Sequence, residues 1–120
     1  MVISWIENAI KSLGFSLESL SFVFCDDEYL KKINSKYLNH NYYTDVVTFD
    51  YSKKKEIKGD IFISIERVNE NAIDYKVSFN EELFRVIIHG VLHLCGFNDK
   101  TDKEKKEIRK QENYFLGLVS

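Results

Sequence analysis

No proline occurs anywhere in the 120 residues, so element boundaries have to be read from hydrophobic periodicity and capping residues alone. Cysteine is scarce as well. Cys25 and Cys95 lie inside apolar runs and form no Cys-x-x-Cys pair, which excludes a disulfide scaffold and predicts buried, reduced thiols in a cytoplasmic protein. The chain has no Gly/Ser-rich linker and no internal repeat, so one domain spanning residues 1–120 is expected. The opening stretch MVISWIENAIKSLGF carries Glu7 and lacks both a long apolar run and a basic lead. It resembles neither a signal peptide nor a membrane span, and no membrane partner is expected. An excess of basic charge is missing too. With a net charge of −2, any affinity for nucleic acid has to come from a local patch.

What the chain does have is core-forming material: 44% hydrophobic residues, among them nine Phe and seven Tyr, which supply large buried areas. Ile3, Ile6, Ile10 and Leu13 recur at helical spacing and Gly14 follows as a stop, predicting a helix over 3–13. Leu20, Phe22 and Phe24 alternate in a strand over 19–25. Asp26 and Asp27 then cap a helix running through Asn34 toward Leu38. The β-branched and aromatic segment 44–51, a charged turn over 52–59 and the segment DIFIS (60–64) read as a hairpin with a long loop. Ser64 is placed to cap a helix over 65–75 with Ile65, Val68 and Ile73 inward. Ser78 and Glu81 open a helix reaching Gly96 that is apolar nearly all round, hence central and buried. Thr101 and Glu104 open the last helix, with Ile108, Gln111, Tyr114 and Phe115 inward. The expected fold class is α+β, a small mixed β-sheet covered by helices.

The chemistry concentrates on the central helix. His89 and His93 are one turn apart, so both rings project from one face at a separation that a shared metal ion bridges. Gly96 permits a left-handed terminus that turns the chain back, bringing Asp99 toward the same point. A His-x3-His-x5-Asp set of three ligands leaves a coordination position open, the mark of catalysis rather than scaffolding. The plain alternative is two histidines that merely find hydrogen-bond partners in a helical core. Zinc peptidases of the His-Glu-x-x-His type carry their general base directly after the first His. Here that position is Gly90, so peptide hydrolysis is the lesser reading. Arg85 lies one turn before His89, either at the mouth of the site or in a salt bridge with Glu81 or Glu82.

HGVLHLCGFND (89–99) resembles the His-Gly-x-Leu-His-Leu-x-Gly-aromatic-Asp-His signature of the YbeY endoribonuclease family. KYLNHNYYTDVVTFDY (36–51) and GDIFIS (59–64) are similar to two further blocks of that family, in order and spacing. The resemblance covers about residues 30–116. It implies a cytoplasmic endoribonuclease with one zinc ion per chain, acting on single-stranded or ribosomal RNA in ribosomal RNA maturation and ribosome quality control. The small ribosomal subunit is the implied partner, and no nucleotide cofactor is expected. By the same resemblance His89, His93 and Asp99 are the metal ligands. Arg85 joins His89 and His93 in the expected catalytic group from its place one turn before His89 on the same helix face. His40, Thr44 and Asp45 fall to the substrate side, although a turn-capping role for Thr44 and Asp45 and a solvated His40 are the simpler readings. The other readings left open are a different metal-dependent hydrolase and a non-catalytic assembly factor with a structural metal.

Two departures stand out. The family's third metal-binding His is replaced by Asp99, which lowers the site's net charge by one and weakens the metal as a Lewis acid. The family's Arg associated with RNA cleavage is replaced by Leu38, leaving Lys36, His40 or Arg85 as the available cations. The Lys runs at 53–55 and 103–106, with Arg109 and Lys110, read as solvated faces, the first also as a possible track for an RNA backbone.

Overall fold

The computed structural model describes residues 2–38 and 44–119. In chain order these form α1 (Val2–Ser12), β1 (Ser16–Cys25), α2 (Asp27–Leu38), β2 (Val46–Asp50), β3 (Glu56–Ser64), α3 (Ile65–Tyr75), α4 (Phe79–Leu94) and α5 (Asp102–Leu116). The three strands make one mixed sheet in the order β1-β3-β2. β1 runs parallel to β3 with Phe22 opposite Ile61, and β2 runs antiparallel to it with Thr48 opposite Ile61. The α+β expectation holds.

β3 is central because its inner row is apolar at every second residue: Ile57, Ile61 and Ile63 are fully buried, as the two-residue strand period requires. Gly59 completes that row. A Cβ there would stand 2.6 Å from the backbone oxygen of Phe49 and 3.1 Å from the Leu94 methyls, so only glycine lets β2, β3 and α4 close together. Gly90 plays the matching part on the helix, where a Cβ would come within 3.1 Å of Ile61 and 3.4 Å of Thr48. The Phe49 ring, on the opposite face of β2 from Thr48, meets Tyr37 of α2 and Phe62 edge-on, each at 5.7 Å. α4 therefore covers one face of the sheet and α2 the other. Val86, Ile87, Ile88, Val91, Leu92 and Leu94 bury α4 in the core. The capping signals act as read: Ser64, Ser78 and Thr101 accept from the backbone N–H groups of Arg67, Glu81 and Glu104. Thr101 and Glu104 complete a reciprocal capping box.

The structure corrects several expectations. β1 begins at Ser16 and β3 at Glu56, so the hairpin loop is short, closed by Lys53 and Glu56 pairing with each other. Backbone pairing extends these strands into polar residues that carry no hydrophobic pattern. Ile3, Phe24, Ile73 and Tyr114 are exposed: the three helical ones lie on sides of their helices that no other element covers, and Phe24, on the same face of β1 as Leu20 and Phe22, stands one residue from the end of the strand. Cys95 is buried but Cys25 is only half-buried. Replacing Gly59 with Ala is expected to cost about 1–3 kcal/mol through overpacking against backbone. A lowered denaturant midpoint with unchanged slope would register it, and an unchanged midpoint would contradict the packing account.

Candidate metal centre

α4 ends in a way that decides the site. Gly96 takes the left-handed conformation at φ 98°. Its N–H bonds to the carbonyl of His93 while Phe97 N–H bonds to that of Leu92, a Schellman termination that reverses the chain and closes the helix end. Asp99 is thereby returned to the face that carries the two histidines. His89 Nε2 and His93 Nε2 are 2.9 Å apart, and each lies 3.3 Å from Asp99 Oδ2. Among the described residues this is the group of His, Cys, Asp and Glu side chains that could hold a metal ion.

The donor chemistry fits a cation. His93 Nδ1 lies 2.9 Å from the carbonyl of Phe97, and His89 Nδ1 lies 2.6 Å from Glu112 Oε2. A carbonyl and a carboxylate only accept, so both Nδ1 atoms donate, and this tautomer leaves each Nε2 with a lone pair. Two lone pairs and a carboxylate oxygen then converge at about 3 Å, an arrangement that repels unless a positive charge sits among them. Ligand atoms around a tetrahedral zinc with bonds of roughly 2.0–2.1 Å lie about 3.3 Å from one another, close to the separations seen. The protonation tendencies reflect the same demand. Burial pushes His89 toward its neutral form, but the hydrogen bond and charge of Glu112, followed by Asp99 and Asp45, outweigh it and leave the ring's pKa raised. Burial and the nearby His89 hold His93 low. Asp99 is the exposed member, with 42% of its side chain accessible, so the trio is approachable from solvent.

Glu112 is the functional residue that the sequence reading missed. It lies among charged neighbours on α5, yet it is 3% exposed. It grips His89 through Oε2 and Arg85 Nη1 through Oε1 at 2.9 Å. Burial alone would raise its carboxyl, but hydrogen bonds from His89 and Arg85 reverse the effect and hold it below the ordinary carboxylate value. Its one sequence signal was its spacing: four residues after Ile108 and three before Phe115, it shares their inward stripe.

Of the other residues singled out, Arg85 does not pair with Glu81 or Glu82 as its simpler reading had it. It binds Glu112 and, through Nη2, Asn113 Oδ1 at 2.9 Å. Asp45 anchors structure, its carbonyl accepting from Ser64 N–H at 3.0 Å and its carboxylate from Asn71 at 3.3 Å. Burial raises its carboxyl, and burial with the nearby Asp45 charge raises that of Glu82. Thr44 donates to the carbonyl of Val46 at 3.5 Å, and His40 lies outside the described residues. Two clefts flank the trio. One, of about 400 Å³, is lined by Arg85, Lys105, Arg109, Asp45 and Glu82 with His89 and Asp99. The other, of about 300 Å³, is lined by Asn34, Leu38, Thr44 and Thr48 with both histidines. Cys95 belongs to the core, its thiol pushed up to about 11 by burial and Asp50. The Lys53–Lys55 turn sits at the far end of β2 from Asp45, roughly 17 Å away at about 3.3 Å per strand residue. Lys55 there rests over the Phe15 ring at 4.6 Å.

Comparison with known proteins agrees with this geometry. A family model described as endoribonuclease YbeY matches residues 1–119. The chain is 53% identical to the endoribonuclease YbeY of Flavobacterium psychrophilum, over 97% of this chain and 83% of that one. It is 50% identical to that of Christiangramia forsetii, over 96% and 80%. The solution structure of TM1509 from Thermotoga maritima superposes with a TM-score of 0.69 at 26% identity, covering 96% of this chain and 76% of that one.

Glu112→Gln keeps the shape but removes the anion that orients His89. Metal affinity is expected to fall about 10- to 100-fold, read by competition with a chromophoric chelator. Unchanged affinity would remove Glu112 from the site.

Proposed function

The chain belongs to the endoribonuclease YbeY family, and from that premise we propose that it cuts single-stranded RNA with one zinc ion per chain, held by His89, His93 and Asp99. The convergence of two fixed lone pairs and one carboxylate oxygen on a single point is the observation that carries the assignment. Zinc bound there supplies Lewis acidity toward a phosphoryl oxygen and makes water a usable nucleophile near neutral pH. The protein's own contribution is orientation and charge. Glu112 and the Phe97 carbonyl hold the two rings so that both Nε2 atoms face the same point, and the exposed side of Asp99 admits the strand. Arg85, kept in place by Glu112 and Asn113, offers a guanidinium to the charge that builds on the phosphate during cleavage. It thereby takes over the task for which Leu38 has no chemistry. Thr44 and Asp45 form the substrate side of the centre, to which His40 is assigned from sequence alone.

The cellular setting goes with the same reading. A single domain over residues 1–120 acts in the cytoplasm on ribosomal RNA during its maturation and quality control, at the small ribosomal subunit. No described helix is long and apolar enough to cross a membrane. Gly90 in place of a catalytic Glu argues against a peptidase mechanism.

Elemental analysis of the purified chain is expected to find zinc at one per chain. His93→Ala is expected to lose both the metal and the cleavage of a labelled single-stranded oligoribonucleotide. A purified chain that cuts without stoichiometric metal, with His93→Ala giving the same RNA products as the parent, would overturn the proposal. Asp99→His removes one negative charge from the ligand set, which strengthens the Lewis acid. Its pH–rate profile should therefore rise at lower pH than that of the parent. A profile displaced upward would contradict the charge argument.

A further inference from the structure

Glu112 has one negative charge and more than one claimant for it. Its Oε2 is taken by His89. Its Oε1 accepts from Arg85 Nη1 at 2.9 Å and lies 3.6 Å from Arg109 Nη1. Two guanidiniums thus converge on a single carboxylate oxygen. Both arginines line the larger cleft together with Lys105, one turn before Arg109 on α5. Their exposures are graded. The Arg85 side chain is 19% accessible and that of Arg109 58%, so one is held inside the cleft and the other stands toward its mouth. Asp45 and Glu82 line the same cleft but lie deeper in it: Glu82 is buried and Asp45 half-buried, whereas Lys105 and Arg109 are exposed. The smaller cleft, by contrast, has no Lys or Arg among its described lining residues.

We propose that Arg109 and Lys105, continuing outward from Arg85, form a binding site for the backbone phosphate next to the scissile one, so that the RNA strand is anchored on the α4–α5 side of the metal trio. This rests on the RNA-cleaving reading above and specifies where the charge of its substrate goes. The chemistry is that of guanidinium and ammonium groups toward a phosphodiester oxygen. It places the recognising cations on α5, whose basic residues read from sequence as a solvated face.

The test uses the zinc-loaded full chain and a short single-stranded oligoribonucleotide, with cleavage kinetics and fluorescence anisotropy measured over a salt series. Arg109→Gln and Lys105→Gln are each expected to raise KM about three- to tenfold with a smaller change in kcat. Each should also reduce the slope of log affinity against log salt by about 0.7, the value for one lost single-strand phosphate contact. Lys103→Gln, an equal charge change on α5 away from the cleft, supplies the control, and zinc content and melting temperature are recorded for every variant. A substrate with one neutral methylphosphonate beside the cleavage point should bind the parent more weakly and lose little more in Arg109→Gln. If Lys103→Gln matches the cleft variants, or the methylphosphonate loss persists undiminished in Arg109→Gln, the site is overturned. A parent that cuts RNA with KM indifferent to Arg109 and Lys105 overturns this site alone. A parent that binds RNA with the stated salt pattern and does not cut it overturns the nuclease reading and leaves the site standing.

Discussion

A carboxylate buried to 3% exposure is the constraint around which this molecule is arranged. Leaving Glu112 without partners at that depth would cost several kcal/mol, because an isolated ion in a poorly polarisable interior is far less stable than in water. The fold meets the cost with an imidazole N–H at 2.6 Å and a guanidinium at 2.9 Å, both from α4. The same contacts dock α5 on α4, fix the tautomer of His89 and set the position of Arg85. Structure and chemistry share one set of hydrogen bonds.

A second layer of control comes from how closely the backbones approach. Gly59 on β3 and Gly90 on α4 let the central helix lie directly against the sheet, which brings His89 and His93 level with the start of β2 at Asp45. The Schellman end at Gly96 then returns Asp99 to the same level within three residues. Three ligand atoms meet because a helix, a turn and a sheet edge are each held by ordinary packing and hydrogen bonding. The centre itself stores no unusual backbone strain.

Two positions that the sequence reading set apart, Asp99 and Leu38, are connected through charge. Asp99 brings a negative charge to the candidate metal centre, and Leu38 lines the smaller cleft, which has no Lys or Arg among its described residues. The basic residues lie on the other side of the trio, where Arg85, Lys105 and Arg109 line the larger cleft. The Lys53–Lys55 turn lies at the opposite end of β2.

Much of the fold was legible in residue order, since capping and periodicity are local. Ser64, Ser78 and Thr101 start their helices as read, Gly96 ends α4 as read, and the pair His89 and His93 follows from helical geometry alone. The reversal at Gly96 even placed Asp99, because a left-handed glycine redirects the chain within a few residues. What residue order left undecided depends on partners far along the chain. The burial of Glu112 requires α5 to lie on α4, 23 residues away from His89. The exposure of Ile73 and Tyr114 shows that an apolar stripe turns inward only where another element arrives to cover it. The extension of β1 and β3 into polar residues comes from backbone pairing, which no side chain announces. The sequence by itself determined the helices, their ends and the ligand spacing, because these are set by contacts within a turn or two. Only the tertiary structure decided which charges are buried and which cleft gathers the arginines, because electrostatic energy depends on distance in space and on how much water is excluded.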